Sequence, residues 1–197
     1  MGETTYKRGN SIYGHFSPQR QKEMEAIGRD NAKLYFEQLG AVVSANDVDE
    51  NGKLDYNKPD LKAITKKSCI FIEAATKGDD IWKYIYQGVD VEKRKLKYGD
   101  MLLFMSKKDG TEAVIIPGKC LRLAQDSCGE EYFGQGVTTS ENFVMPEHRC
   151  HRVRKRCRQP NGNYAVEDFY RIPYEYVLHL KKENGRYKVK KEGQPIK

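Results

Sequence analysis

Cys69-Ile70-Phe71-Ile72-Glu73-Ala74-Ala75-Thr76 is the stretch on which the fold turns. Apart from Glu73 it is apolar on both faces, the pattern of a central strand buried between two layers. Period-two alternation sets Glu73, Ala75 and Lys77 on one face and Ile70, Ile72 and Ala74 on the other. A carboxylate in such a strand needs a reason.

On the N-terminal side, residues 17–40 open with Ser17-Pro18, an N-cap signal with proline at the first helical position, and close on Leu39-Gly40. Apolar residues at Met24, Ile27, Leu34, Tyr35 and Leu39 complete the prediction of one long helix. Ala41-Val-Val-Ser44, the turn-rich Asn46-Asp-Val-Asp-Glu-Asn-Gly52 and Lys53-Leu-Asp-Tyr56 read as strand, Asn-Gly turn, strand, leading into Pro59-Asp60-Leu61. On the C-terminal side, Gly78-Asp79-Asp80 caps a short amphipathic helix over 81–87, and Val89-Asp-Val91 begins another strand that runs into Lys93-Arg94-Lys95.

After Gly99 the pattern changes to short alternating runs over 101–105, 113–116, 120–123 and 142–145, broken by turn residues such as Lys108-Asp-Gly110. Runs over 164–170, 174–180 and 187–191 follow, with turns at Pro160-Asn-Gly-Asn163 and Glu183-Asn-Gly185. This second half reads as an antiparallel β extension of the first.

The composition bounds the rest. A chain of 197 residues that is 38% hydrophobic and 32% charged, with 13 Tyr and 7 Phe, can bury one core without disulfide help. No apolar run reaches the roughly 18 residues of a membrane span, and the start Met1-Gly-Glu-Thr-Thr-Tyr-Lys7 lacks a signal peptide's apolar segment. No membrane partner and a cytoplasmic location are therefore expected. Five cysteines, an odd number, suit a reducing compartment better than a disulfide framework. The 35 Lys and Arg against 28 Asp and Glu give a net charge of +7, which favours a polyanionic partner where the excess is clustered.

Pro59-Asp60 at a strand start and Glu73 in the buried strand can bring two oxygen ligands on adjacent strands to one divalent cation, Mg²⁺ or Mn²⁺. Lys77, on the face of Glu73, can reach toward the same place. Pro59-Asp60 followed by Ile72-Glu73-Ala-Ala-Thr-Lys77, in the order helix, three strands, helix, strand, resembles the core of the PD-(D/E)XK, or restriction-endonuclease-like, nuclease superfamily over about residues 18–98. The resemblance implies an α+β fold with a mixed sheet flanked by helices. Residues 1–110 would be the nuclease-like core, and 111–197 a β-rich extension packed on it as one structural unit.

It also implies a Mg²⁺-dependent endonuclease that hydrolyses nucleic acid phosphodiesters, with Asp60 and Glu73 as metal ligands. The family places its lysine two positions after the second acid. Here that position is Ala75, and Lys77 stands one strand period, about 7 Å, further on. Glu23 or Glu25 on the first helix is where such folds sometimes add a ligand, and Gln87 is where relatives place a polar active-site residue.

Lys93, Arg94, Lys95 and Lys97 form one basic cluster, and Arg149, Arg152, Arg154, Lys155, Arg156 and Arg158 form a denser one with no acid among them. Phosphate neutralisation by such side chains gives sequence-independent affinity that falls with salt, so the expected partner is nucleic acid, DNA before RNA. A homodimer is compatible with this. Tyr84, Tyr86, Tyr98, Tyr132 and Phe133 could stack on bases, although aromatic residues at such spacing more often form core. Cys120, Cys128, His148, Cys150, His151 and Cys157 lack the tight pairs of a structural zinc site, which is disfavoured. The competing reading is a non-catalytic nucleic-acid-binding or protein-interaction module on a degenerate nuclease fold, its acids structural.

Overall fold

The computed structural model describes residues 18–49, 51–55, 58–92, 101–120, 130–131, 150–158 and 163–194. A long helix, α1 (Pro18–Gln38), comes first. Gly40 ends it by adopting φ +82°, a left-handed conformation open to glycine, while its N–H reaches the Glu37 carbonyl at 2.9 Å. Strands β1 (Val42–Ala45), β2 (Leu61–Ile64) and β3 (Cys69–Lys77) then form an antiparallel meander. The expected strand over 53–56 is not the partner of β1. The described residues between β1 and β2 include Gly52, at φ +77°, and one isolated bridge from Val48 to Leu54, and the pairing strand starts at Leu61.

The expected helix over 81–87 is a short helix, α2 (Asp79–Trp82), followed by a 3-10 turn Ile85–Gln87. Next comes β4 (Val89–Glu92). Strands β5 (Leu102–Lys107) and β6 (Glu112–Pro117) form a hairpin, turning at Gly110 with φ +70°. The remaining strands are β7 (Glu130–Glu131), β8 (His151–Arg158), β9 (Tyr164–Ile172), β10 (Leu178–Glu183) and β11 (Arg186–Lys191). The run expected over 174–180 begins instead as a 3-10 turn, Tyr174–Tyr176, after Pro173. Asn184 (φ 51°) and Gly185 (φ 76°) make the two-residue turn that joins β10 to β11.

The architecture is mixed α+β and rich in strands. Seven strands form one sheet in the order β1-β2-β3-β5-β6-β10-β11, and four form a smaller one in the order β4-β9-β8-β7. Among the described residues of the large sheet only β3 and β5 run parallel, a pairing that needs a crossover, which α2, the 3-10 turn and β4 lie along.

Strands of the expected 1–110 core and of the expected 111–197 extension share one sheet, in which β6, β10 and β11 stand beside β1, β2, β3 and β5. The apolar alternation of Val114, Ile116 and Leu180 is buried only when these strands join it. The strand expected at Val89 is β4, and it belongs to the small sheet. Val89 and Val91 pair with Ile172 and Tyr170 in the small sheet.

α1 lies on one face of the large sheet, where Ala32, Tyr35 and Phe36 pack on Leu61, Ala63, Ile72, Ala74, Phe104 and Leu180. The other face carries Leu103, Met105, Val114 and Ile116 against Trp82, Ile85, Val91, Tyr170 and Ile172. These residues bury a continuous apolar layer on each side of the sheet, which is the main stabilising term for such an arrangement. Gly28 lets α1 lie close to β3: a Cβ there would stand 3.0 Å from Thr76 Oγ1 and 3.1 Å from the Ala75 carbonyl carbon. Thr76 Oγ1 in turn donates to the Met24 carbonyl at 2.6 Å. No helix among the described residues is long and apolar enough to cross a membrane.

Candidate functional site: an arginine between two acids

Asp60 sits immediately before β2, where the loop from β1 returns to the sheet. The Asn46 N–H donates to the Asp60 carbonyl at 2.9 Å and the Asn46 side-chain amide to the Pro59 carbonyl at 3.0 Å, which fixes the return. The Asp60 carboxylate accepts the Ala74 N–H of β3 at 2.8 Å and an Arg29 Nη2–H at 2.7 Å. Arg29, on α1, also holds Asp47 with both terminal nitrogens, at 2.9 and 2.5 Å. One guanidinium therefore bridges two carboxylates, the fork geometry at which arginine excels.

Asp47 is 4% exposed, while Arg29 and Asp60 are half-buried. Desolvation opposes the arginine's charge, but the hydrogen bond to Asp47 and the fields of Asp60, Asp47 and Glu25 outweigh it, and the Arg29 pKa is raised.

Leu61 pairs with Ile72, so the backbone of Asp60 lies level with that of Glu73. Their side chains part. Asp60 turns to the α1 side, toward Arg29. Strand alternation sets Glu73, which is buried, on the opposite face, in register with Leu103 and beside Ala75, which packs in the layer between the sheets. Lys77 shares the Glu73 face at the end of β3, level with Lys107, whose ammonium meets Asp79 at 3.6 Å and Asp109 at 3.1 Å.

Glu23 and Glu25 are exposed on α1, and Gln87 is exposed at the end of its 3-10 turn. Among the described residues no group of three or more His, Cys, Asp or Glu side chains is placed to hold a metal ion. As arranged, Asp60 and Glu73 do not fit a shared Mg²⁺, since a hard cation needs their oxygens on one side and Arg29 already meets the charge of Asp60.

Of the other sequence candidates, Lys93, Arg94, Lys95, Tyr98, Cys128, Tyr132, Phe133 and His148 lie outside the described residues. Arg152, Arg154, Lys155 and Arg156 all fall on β8, paired along its length with β9. Tyr84 and Tyr86 are exposed. Cys120 and Cys150 are buried in the layer between the sheets, and Cys69 is exposed.

Arg29 and Asp47 are the residues that sequence reading misses. The available signal is spacing: Arg29, Ala32 and Phe36 stand at i, i+3 and i+7, so a charge sits on the buried face of α1. The chain matches no protein-family model, no curated protein and no solved structure.

Proposed function

We propose that this chain is a nucleic-acid-binding module, for DNA before RNA, built on a degenerate restriction-endonuclease-like core whose acids are structural. The observation that carries the reading is the Arg29 bridge. The cationic place beside Asp60 is filled by a side chain of the protein, and the carboxylate is further held by the Ala74 N–H. Binding is supported by the net charge of +7 and by β8, where five of eight residues are Lys or Arg. The chain order supports the core: a helix, three antiparallel strands, a crossover and a strand parallel to the third.

The second reading is a Mg²⁺-dependent endonuclease with Asp60 and Glu73 on the metal and Lys77 orienting water. That same chain order favours it, together with the placement of Glu73 and Lys77 on one face. It requires Arg29 to release Asp60. Incubating plasmid, single-stranded DNA and RNA with the protein in Mg²⁺ or Mn²⁺, beside Asp60→Ala and Glu73→Ala, separates the two. Binding without metal-dependent release of free cleavage products is expected. Cleavage abolished by both substitutions would establish the endonuclease instead.

A further inference from the structure

A second cluster of ionisable groups lies away from Asp60, where β6, β10 and β11 meet the two 3-10 turns. His179 is fully buried, with Trp82 edge-on to its ring at 6.2 Å between centroids. Its Nε2 lies 2.6 Å from Glu112 Oε2, and its Nδ1 is hydrogen-bonded to the Tyr174 hydroxyl. Ionised Glu112 can only accept, so Nε2 carries the proton and Nδ1 accepts from the Tyr174 O–H. The order is hydroxyl, imidazole, carboxylate, which is the arrangement of a nucleophile, its base and the group that orients the base.

Two cations belong to the cluster, Lys190 beside Tyr86 and Glu112 and Lys191 over the Tyr174 ring. Lys190 Nζ donates to Glu112 at 3.3 Å and to the Tyr86 hydroxyl at 2.9 Å, so two of its three N–H groups are used by these partners. Lys191 Nζ stands 4.5 Å above the Tyr174 ring and donates to the Tyr174 and Glu175 carbonyls. Tyr174 is half-buried, and its ring is met edge-on at 4.9 Å by Tyr86, which is 54% exposed. The open side of the cluster is thus aromatic and positively charged, suited to an anionic ligand with a planar group.

We propose that Tyr174 is a nucleophile toward phosphoryl centres, with His179 as its base and Glu112 as the positioning residue, and that its substrate is a nucleic acid phosphodiester. The choice of substrate rests on the nucleic-acid reading above; the choice of nucleophile does not. In the step, the Tyr174 oxygen forms a bond to phosphorus and its proton passes to His179 Nδ1. The bond from phosphorus to one sugar oxygen breaks, that oxygen leaves as the alcohol with a proton from water, and the hydroxide so formed is neutralised by the proton that His179 then gives up. The product is a tyrosyl phosphodiester. The unused N–H of Lys190 would offset charge on the non-bridging oxygens. Burial works against charging His179, and although Glu112 favours the imidazolium, the net effect, with Lys190 and Lys191 nearby, is a pKa below the ordinary imidazole value, which keeps the base form at neutral pH.

The test uses the full chain and two probes. A fluorophosphonate, which needs no nucleic-acid affinity, should label Tyr174 with loss of fluoride, as read by peptide mass spectrometry. Tyr174→Phe should remove that label, Tyr84→Phe should keep it, and Glu112→Gln should slow it by about a hundredfold. The wild-type rate should level off by neutral pH as His179 loses its proton. No labelling of the folded protein, or a rate that climbs without levelling through the phenol's own alkaline range, would overturn the nucleophile.

An oligonucleotide with a bridging phosphorothiolate should then form a covalent adduct that is lost in Tyr174→Phe. Fluorophosphonate labelling and oligonucleotide binding without that adduct would overturn the substrate assignment. Labelling without any oligonucleotide binding would overturn the nucleic-acid reading and leave the nucleophile standing.

Discussion

The Arg29 guanidinium reaches Asp60 at 2.7 Å from a helix thirty-one residues earlier in the chain, on the far side of β1 in sequence. With Asp47 on its other edge, it ties α1 to the loop that precedes β2. Breaking a partly buried pair costs more than the pair itself gains, because the acids left behind stay desolvated.

Arg29→Ala should therefore destabilise the protein by about 3 kcal/mol in chemical denaturation. It should also create a cation dependence. Wild-type melting temperature should be unmoved by added Mg²⁺, whereas Arg29→Ala, with Asp47 and Asp60 facing each other, should melt higher as Mg²⁺ is added. A wild type that gains stability from Mg²⁺ as strongly as the variant would contradict the view that Arg29 fills the cation's place.

Gly28→Ala addresses the contact between α1 and β3. The added methyl would press on Thr76 Oγ1 and on the Ala75 backbone, and backbone atoms of a central strand cannot give way cheaply. A loss of about 1–3 kcal/mol is expected despite alanine's better helix propensity. A stabilised variant would show that α1 sits less close to the sheet.

Acid titration reads the second cluster. His179 has its pKa lowered by burial, and Glu112 has its pKa lowered because Lys190 and His179 outweigh desolvation. In both cases the unfolded chain binds protons more readily than the folded one, so stability rises with pH across each window. Stability should fall as pH drops below the ordinary imidazole value of 6.5, and fall again below the ordinary carboxyl value of 4.5. His179→Gln should remove the upper of these two slopes in urea titrations at stepped pH. An unchanged slope near neutrality would show that His179 does not carry it.

How much of the fold is legible in the sequence depends on what each signal reports. α1 is readable because Pro18 and Gly40 mark its ends and its apolar positions recur with helical spacing. The strand at residues 69–77 is readable from its apolar run, and it is β3, but only Ile72, Glu73 and Ala74 of it are buried, while Cys69 and Phe71 at its start are exposed. Strand partners are not, since alternation tells which face of a strand is buried and not which strand lies beside it. Pattern thus marks a strand at Val89 without showing that it pairs with Ile172, and marks β6, β10 and β11 without showing that they join the sheet of β3.

The same limit governs the site. Pattern brings Asp60 and Glu73 to adjacent strands, and their backbones are level. The turn of the Asp60 carboxylate toward α1 depends on Arg29, whose pairing with Asp60 spans 31 positions and leaves no local trace. His179, a polar residue between Leu178 and Leu180, is the visible hint of the second cluster.

The basic strand makes a quantitative prediction about salt. Removing one phosphate-binding cation should lower the magnitude of the slope of log affinity against log salt by about 0.9 on duplex DNA. Arg154→Ala and Arg156→Ala should each flatten the slope by that amount and weaken binding alike for every sequence tested. Slopes that match wild type would remove β8 from the interface.

The account is tested most directly by fluorescence anisotropy of a labelled oligonucleotide in excess chelator and again in Mg²⁺ or Mn²⁺, with strand integrity read from the same samples on a gel. Equal, salt-sensitive binding in both conditions, with no free cleavage product that depends on the metal, is the expected result. Free cleavage products that appear only with the metal and vanish in both Asp60→Ala and Glu73→Ala would contradict it.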